Sequence, residues 1–200
     1  MIDGGFLGIY ATMMRSLDAG IGRVLAALRR ARLERNTLVI FTSDNGGELY
    51  SLNWPFSSQK GSLYEGGIRV PAIVRWPGVV PVGSATDQAA VTMDWTATIL
   101  AAAGAQINAA QAPLDGENLL PVLRSEREAY DRALFWRTRT RAAARIGRWK
   151  YVQEGDAEHL YDLGVDLGER TDLKARETAA LSDARRRYSA WVAEMLPRSS

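Results

Sequence analysis

Two hydrophobic rhythms organise the chain. From Gly8 to about Arg32, Ile9, Met13, Leu17, Ile21, Val24 and Leu28 recur every three or four positions, with Arg15, Arg23, Arg29 and Arg30 mostly between them. That spacing predicts an amphipathic helix, although Asp18, Gly20 and Gly22 weaken its interior. After a turn at LERN, Thr37–Thr42 is an almost unbroken apolar run of strand length. Continuous apolarity predicts a strand buried on both faces, as in a parallel sheet covered by helices. A second such strand is predicted over Ile68–Trp76 (IRVPAIVRW), and Pro77-Gly78 then turns the chain. A short strand is predicted at Asp87–Val91. A helix opened by Asp94 follows, running through Ile99 to Ala103 and stopped by Gly104. Gln106–Pro113 reads as a small-residue loop, and Asp115–Leu123 (DGENLLPVL) as a turn entering a short helical segment.

Near Leu123–Ala129 the texture changes. Short strand-like pieces follow at Ala133–Thr138, Ala142–Ile146, Trp149–Gln153 and His159–Leu163, with turns at Gly147-Arg148 and Glu154–Ala157. Close spacing and tight connections predict an antiparallel meander. Leu173–Leu196 returns to helical spacing through Ala180, Leu181, Ala184, Tyr188, Trp191 and Met195. The expected class is α/β, with residues 1–123 forming a helix-covered sheet and residues 124–200 a small antiparallel sheet packed with a C-terminal helix.

Composition narrows the chemistry. A 200-residue chain with 46% hydrophobic and 24% charged residues has the make-up of an ordinary globular domain. The formal net charge is only +2, so the chain as a whole is no polyanion binder, and no nucleic acid is expected as partner. There is no cysteine, which removes thiolate metal sites and disulfides, and the single histidine, His159, removes His-rich metal sites. No apolar run is long enough for a membrane span. The opening MIDGGFLGIY lacks the basic region and long apolar core of a signal peptide, and nothing in it fixes a compartment. It starts almost at a helix, which raises the expectation of further sequence upstream.

The stretch Thr37–Pro71 holds most of the candidate chemistry. Asp44 and Asn45 follow the first strand directly and precede Gly46-Gly47. Ligands of α/β sheets gather at the carboxyl ends of strands, and a carboxylate beside a carboxamide offers hard oxygens suited to Ca²⁺ or Mg²⁺. The same residues also make an ordinary turn. Lys60, in SSQKGSLYEGG, is the only lysine in the first 149 residues, and a lysine in a glycine-containing loop suits a phosphate or sulfate group; a solvated lysine is the alternative. Glu65 and Arg69 are placed to pair and pin the loop. Arg132–Lys150 contains seven basic residues and no acidic one, and an extended chain would set Arg137, Arg139 and Arg141 on one face. Such a face suits a polyanion, or is simply solvated and neutralised by the acidic residues of Glu154–Glu169. His159 reads as a surface or satisfied residue of its strand, with a catalytic histidine as the alternative.

Taken together, these pieces resemble the sulfatase family of the alkaline-phosphatase-like superfamily. The matching runs are SLDAGIGRVLAAL, TLVIFTSDNGG, KGSLYEGGIRVPAIVRWPG, the Asp94 segment before TIL, DGENLLPVL, GRWKYV and HLYDLGVDLGERTDL, in collinear order over nearly the whole chain. Each is weak alone; the order is specific. The resemblance implies a hydrolase of small-molecule or glycan sulfate esters, with Ca²⁺ (Mg²⁺ being possible) as Lewis acid and a formylglycine nucleophile made from cysteine or serine. It assigns Asp44 and Asn45 as metal ligands, and Lys60 as the catalytic, substrate-binding lysine that contacts sulfate. It also implies that residues 1–123 are the C-terminal part of an α/β catalytic domain and residues 124–200 a small subdomain walling the cleft.

The departures carry equal weight. The nucleophile motif Cys/Ser-x-Pro-x-Arg does not occur, nor do the paired aspartates that complete the family's metal site. Ala97 and Leu167 stand where the family usually has proline, and Asp172 where asparagine is common. The expectation is therefore a sulfatase fragment, inactive by itself, with aggregation or partial disorder when expressed alone. Alternatives are a phosphomonoesterase or phosphonate hydrolase of the same superfamily, or a non-catalytic polyanion-binding module using Arg137, Arg139 and Arg141.

Overall fold

In chain order, the computed structural model contains α1 (Gly4–Arg30), a single 3-10 turn (Glu34–Asn36), β1 (Val39–Thr42), α2 (Glu65–Ile68), β2 (Ala72–Arg75), α3 (Thr92–Ala102) and α4 (Leu120–Leu123). β3 (Ala133–Arg137), β4 (Arg141–Ile146), β5 (Trp149–Glu154), β6 (Ala157–Asp162) and α5 (Thr178–Glu194) complete it. It describes residues 4–105 and 113–195. Most of the loop expected over Gln106–Pro113, and the end of the last expected helix at Leu196, lie outside these. The elements form two units, one from Met1–Thr42 with Ala72–Ala129, the other from Ser43–Pro71 with Tyr130–Ser200.

In the first unit, α1 follows the predicted period and ends on Arg29 and Arg30, which suit the negative end of the helix dipole. β1 and β2 depart from expectation: they pair antiparallel, with Val39 opposite Arg75 and Thr42 opposite Ala72. The chain leaves at Thr42 and re-enters beside it, so the return strand must run the other way. A parallel return needs a crossover, usually through a helix along the sheet, and the single turn of α2 is the only helix between them. β2 is also shorter than the predicted Ile68–Trp76. Phe41 and Ile73 are exposed rather than buried on both faces. No strand forms at Asp87–Val91, where side chains bond locally: Gln88 Nε2 donates to the Ala89 carbonyl (2.9 Å) and Gln88 N–H to Thr86 Oγ1 (3.2 Å).

Asp94 does open a helix. Fully buried, it accepts from Val91 N–H at 2.7 Å and from Glu117 N–H at 2.8 Å, so one carboxylate caps α3 and holds the following loop. Thr98, one turn on, accepts from Leu119 N–H at 2.9 Å. Gly104, at φ +68°, lies just past the C-terminus of α3 as the sequence predicts.

The second unit is a layered structure around the predicted meander, in the order β3-β4-β5-β6, all antiparallel. Gly147 and Gly155 take φ +56° and +58° in the two tight hairpin turns. Side chains alternate across the sheet. Ala142, Ala144, Tyr151 and Leu160 face α5 and pack on Leu181, Ala184 and Tyr188. Ala143, Val152 and Tyr161 point the other way, onto Leu63, Tyr64 and Ile68. The second face is therefore covered by the Ser43–Pro71 segment, the stretch that carries Asp44, Asn45 and Lys60.

Candidate functional site

The site is built from two backbone strokes that meet through glycines. Asp44 is exposed and Asn45 half-buried directly after β1. Asp44 Oδ1 accepts from Asn45 N–H (3.0 Å) and from Asn45 Nδ2 (2.8 Å), which fixes the two side chains against each other. Gly46 then donates its N–H to the Gly67 carbonyl at 2.9 Å. The approach is so close that a Cβ on Gly46 would lie 1.8 Å from the Gly66 carbonyl oxygen. Glycine is required here for proximity, not for an unusual φ.

Lys60 comes to the same turn through its backbone, its N–H bonding the Gly47 carbonyl at 3.1 Å. Asn53 staples the intervening loop: its Oδ1 accepts from Gly47 N–H (2.9 Å), and its Nδ2 donates to the carbonyls of Gly47 (2.9 Å) and Ser58 (3.2 Å). The Lys60 ammonium lies 3.4 Å from Glu48 Oε2, with both side chains half-exposed. Such an exposed pair contributes little, so an incoming anion can displace Glu48 at small cost. The three residues singled out from the sequence are thus brought into one loop system.

Beneath the loop lies a charged cluster that the sequence reading missed. Lys150, on the loop-facing side of β5, is fully buried. Its Nζ donates to Glu65 Oε1 at 2.7 Å and sits 3.3 Å from Glu169 Oε1. Glu169 Oε2 accepts from Glu65 N–H (2.7 Å) and from Ser57 Oγ (3.0 Å). Glu169 Oε1 makes no hydrogen bond among the described residues, so its contact with Lys150 is one of charge. Burial works against ionising Glu65, but the Lys150 ammonium outweighs it and holds that carboxyl below the usual range. For Glu169 burial wins and the carboxyl is pushed up, against Lys150 and the Glu65 N–H. Two carboxylates facing one ammonium thus divide into a readily ionised one and a reluctant one.

Other expectations resolve plainly. Arg69 pairs with Glu65 at 3.4 Å, as the loop reading supposed, although Lys150 is the closer partner. Arg137, Arg139 and Arg141 do not share one extended face, because the chain bends between β3 and β4. Arg137 lies over Trp191 (5.8 Å), whereas Arg141 pairs with Glu154 (3.0 Å) and donates to the Gly61 carbonyl. His159 is satisfied by Asp172 at 2.9 Å and stacks on Tyr161.

The donor set suits a hard cation in part. Neither Asp44 Oδ2 nor the Asn45 carboxamide oxygen accepts a hydrogen bond among the described residues, and both belong to hard oxygen donors. Ca²⁺ takes six to eight oxygens, and no group of three or more metal-binding side chains occurs among the described residues. The pair therefore fits as a fraction of a coordination shell.

Two family models match the chain: Sulfatase over residues 5–105, and N-sulphoglucosamine sulphohydrolase, C-terminal, over residues 56–185. The chain is 37% identical over 149 residues to the N-acetylgalactosamine-6-sulfatase of Sus scrofa, covering 72% of this chain and 28% of that protein. It is 35% identical over 194 residues to a sulfatase of Formosa agariphila, covering 83% and 35% respectively. It thus spans about a third of the length of these relatives. Among solved structures, Ps i-CgsB in complex with k-i-k-neocarrahexaose superposes with TM-score 0.82 at 33% identity, over 91% of this chain and 42% of that one. Family models, relatives and fold agree: the chain belongs to the sulfatase family, within the alkaline-phosphatase-like superfamily.

Proposed function

We propose that this chain carries part of the catalytic centre of a sulfate-ester hydrolase. In this reading Asp44 and Asn45 are two of the oxygen ligands of a divalent cation, and Lys60 meets the sulfate group. The observation that carries it is the clamp between the two segments. Gly46 N–H on Gly67 and Lys60 N–H on Gly47 hold the oxygen pair and the lysine loop in one register.

A bound Ca²⁺, or Mg²⁺, would supply Lewis-acid polarisation of the sulfate oxygens. Asp44 and Asn45 would orient toward it the two oxygens that accept no hydrogen bond. The Lys60 ammonium would leave Glu48 for the sulfate and take up negative charge on it and on the leaving oxygen. Asn53 would keep the loop closed while that exchange occurs. The family's formylglycine arises from Cys or Ser in a motif absent from these 200 residues, so this chain's part is binding and charge neutralisation. A sulfated glycan is the favoured substrate class, because the relatives include an N-acetylgalactosamine-6-sulfatase and a solved structure holding a hexaose.

Two measurements test this. The purified chain should show no appreciable turnover of an aryl sulfate, and turnover that disappears in Asp44→Ala would overturn the division of labour. Inorganic sulfate should shift the Lys60 amide resonance in the parent and not in Lys60→Ala. Sulfate shifts that ignore the substitution would remove Lys60 from the site.

A further inference from the structure

Lys150 and Glu169 are remote in sequence from Asp44, Asn45 and Lys60, whereas Glu65 stands five residues after Lys60; the three lie together under the loop, and backbone bonds tie them to it. Glu65 is held twice: its side chain by Lys150 (2.7 Å) and its N–H by Glu169 Oε2 (2.7 Å). The next two residues carry the contacts that locate the oxygen pair, since the Gly66 carbonyl packs on Gly46 and the Gly67 carbonyl accepts its N–H. Glu169 Oε2 also holds Ser57 Oγ, while the Ser57 carbonyl accepts from Gly66 N–H at 2.8 Å. Ser57 lies three residues before Lys60. The cluster thus grips both arms of the loop, one leading to Asp44-Asn45 and one to Lys60.

We propose that the buried Lys150–Glu65–Glu169 cluster is a positioning device that fixes the Asp44-Asn45 turn relative to the Lys60 loop. The proposal deepens the functional reading above and rests on it for the meaning of the positions it fixes. A stability role alone is a poor reason for such a cluster, because a buried ion pair is often matched by apolar residues of the same volume. What apolar residues lack is direction. Here one ammonium and two carboxylates set the register of three backbone segments.

The test is native-state amide hydrogen exchange on the full chain. Lys150→Met leaves carboxylates without their cation and is expected to unfold part of the population. The double variant Glu65→Gln/Lys150→Met removes the charges of that pair at similar volume, leaves only the reluctantly ionised Glu169, and keeps the assay interpretable. In it, the Gly46 and Lys60 amides should exchange at least tenfold faster, while amides in β4 and β5 stay within about threefold of the parent. Leu181→Ala is the control: it truncates the core on the α5 face and loosens the sheet without touching the cluster. There, Gly46 and Lys60 should accelerate no more than the sheet amides. Parent-like exchange at Gly46 and Lys60 in the double variant, or equal selectivity in the control, would overturn the proposal. The readout needs neither metal nor substrate, so failure of the parent chain to bind Ca²⁺ would count against the functional reading alone.

Discussion

Replacing Gly46 by alanine puts a methyl group where the fold has no room. Its Cβ would lie 1.8 Å from the Gly66 carbonyl oxygen, 2.7 Å from the Gly66 carbonyl carbon and 3.1 Å from Gly67 Cα. Non-bonded heavy atoms normally rest about 3.5 Å apart, so the two backbones must separate by roughly 1.7 Å. All three obstructing atoms are main chain, and none can swing aside as a side-chain tip would. Overpacking of this kind costs ~1–3 kcal/mol, and loss of the Gly46 N–H bond to Gly67 adds about 1 kcal/mol. With a urea slope of about 2 kcal/mol/M, the midpoint for unfolding of the second unit should drop by roughly 1–2 M. Amide resonances in β4 and β5 report that unit specifically. An unchanged midpoint, with the Asn45 and Gly67 resonances in their parent positions, would refute the claim that these segments are in backbone contact.

Three further outcomes are expected. Leu160→Ala, at a fully buried position under α5, should cost ~2–5 kcal/mol in the same urea assay. Gly22→Ala should act in the opposite direction, raising the stability of α1 by about 1 kcal/mol in a thermal melt followed by circular dichroism, since nothing lies within 4 Å of the new methyl. Burial would raise the Asp172 carboxyl, but the N–H groups of Lys174 and Leu160 and the His159 ring outweigh it and hold it at about 2. Its stabilisation is therefore fully present above the ordinary value of 3.8 and is lost as pH falls toward 2. The loss should be ~1–2 kcal/mol after screening at a carboxylate still 28% exposed, and Asp172→Asn should flatten that part of the pH profile.

Much of this fold was legible because local signals agreed with tertiary ones. Two-residue turns beginning with Gly147 and Gly155 separate strands whose alternate residues form the two faces, and that meander appears as predicted. Strand direction in β1 and β2 was not legible, because an apolar run records burial and says nothing about which way its neighbour runs. Asp44, Asn45 and Lys60 stand out as candidates through the order of motifs, not through any strong local signal. The cluster beneath them was missed because Lys150 reads as one of seven basic residues. Its partners Glu65 and Glu169 stand 104 residues apart and meet only in the folded chain. One signal was present: Lys150 alternates in phase with Val152 and out of phase with Tyr151 and Trp149, which sets it on an apolar face of β5. A lysine there needs a buried partner.

Ca²⁺ titration of the chain, followed at the Asp44 and Asn45 amides, tests the site assignment most directly. Two oxygen ligands should give weak, millimolar binding, with shifts confined to Asp44, Asn45 and their glycine neighbours and abolished in Asp44→Ala. Shifts that survive Asp44→Ala, or no response at these residues at tens of millimolar Ca²⁺, would contradict their role as metal ligands.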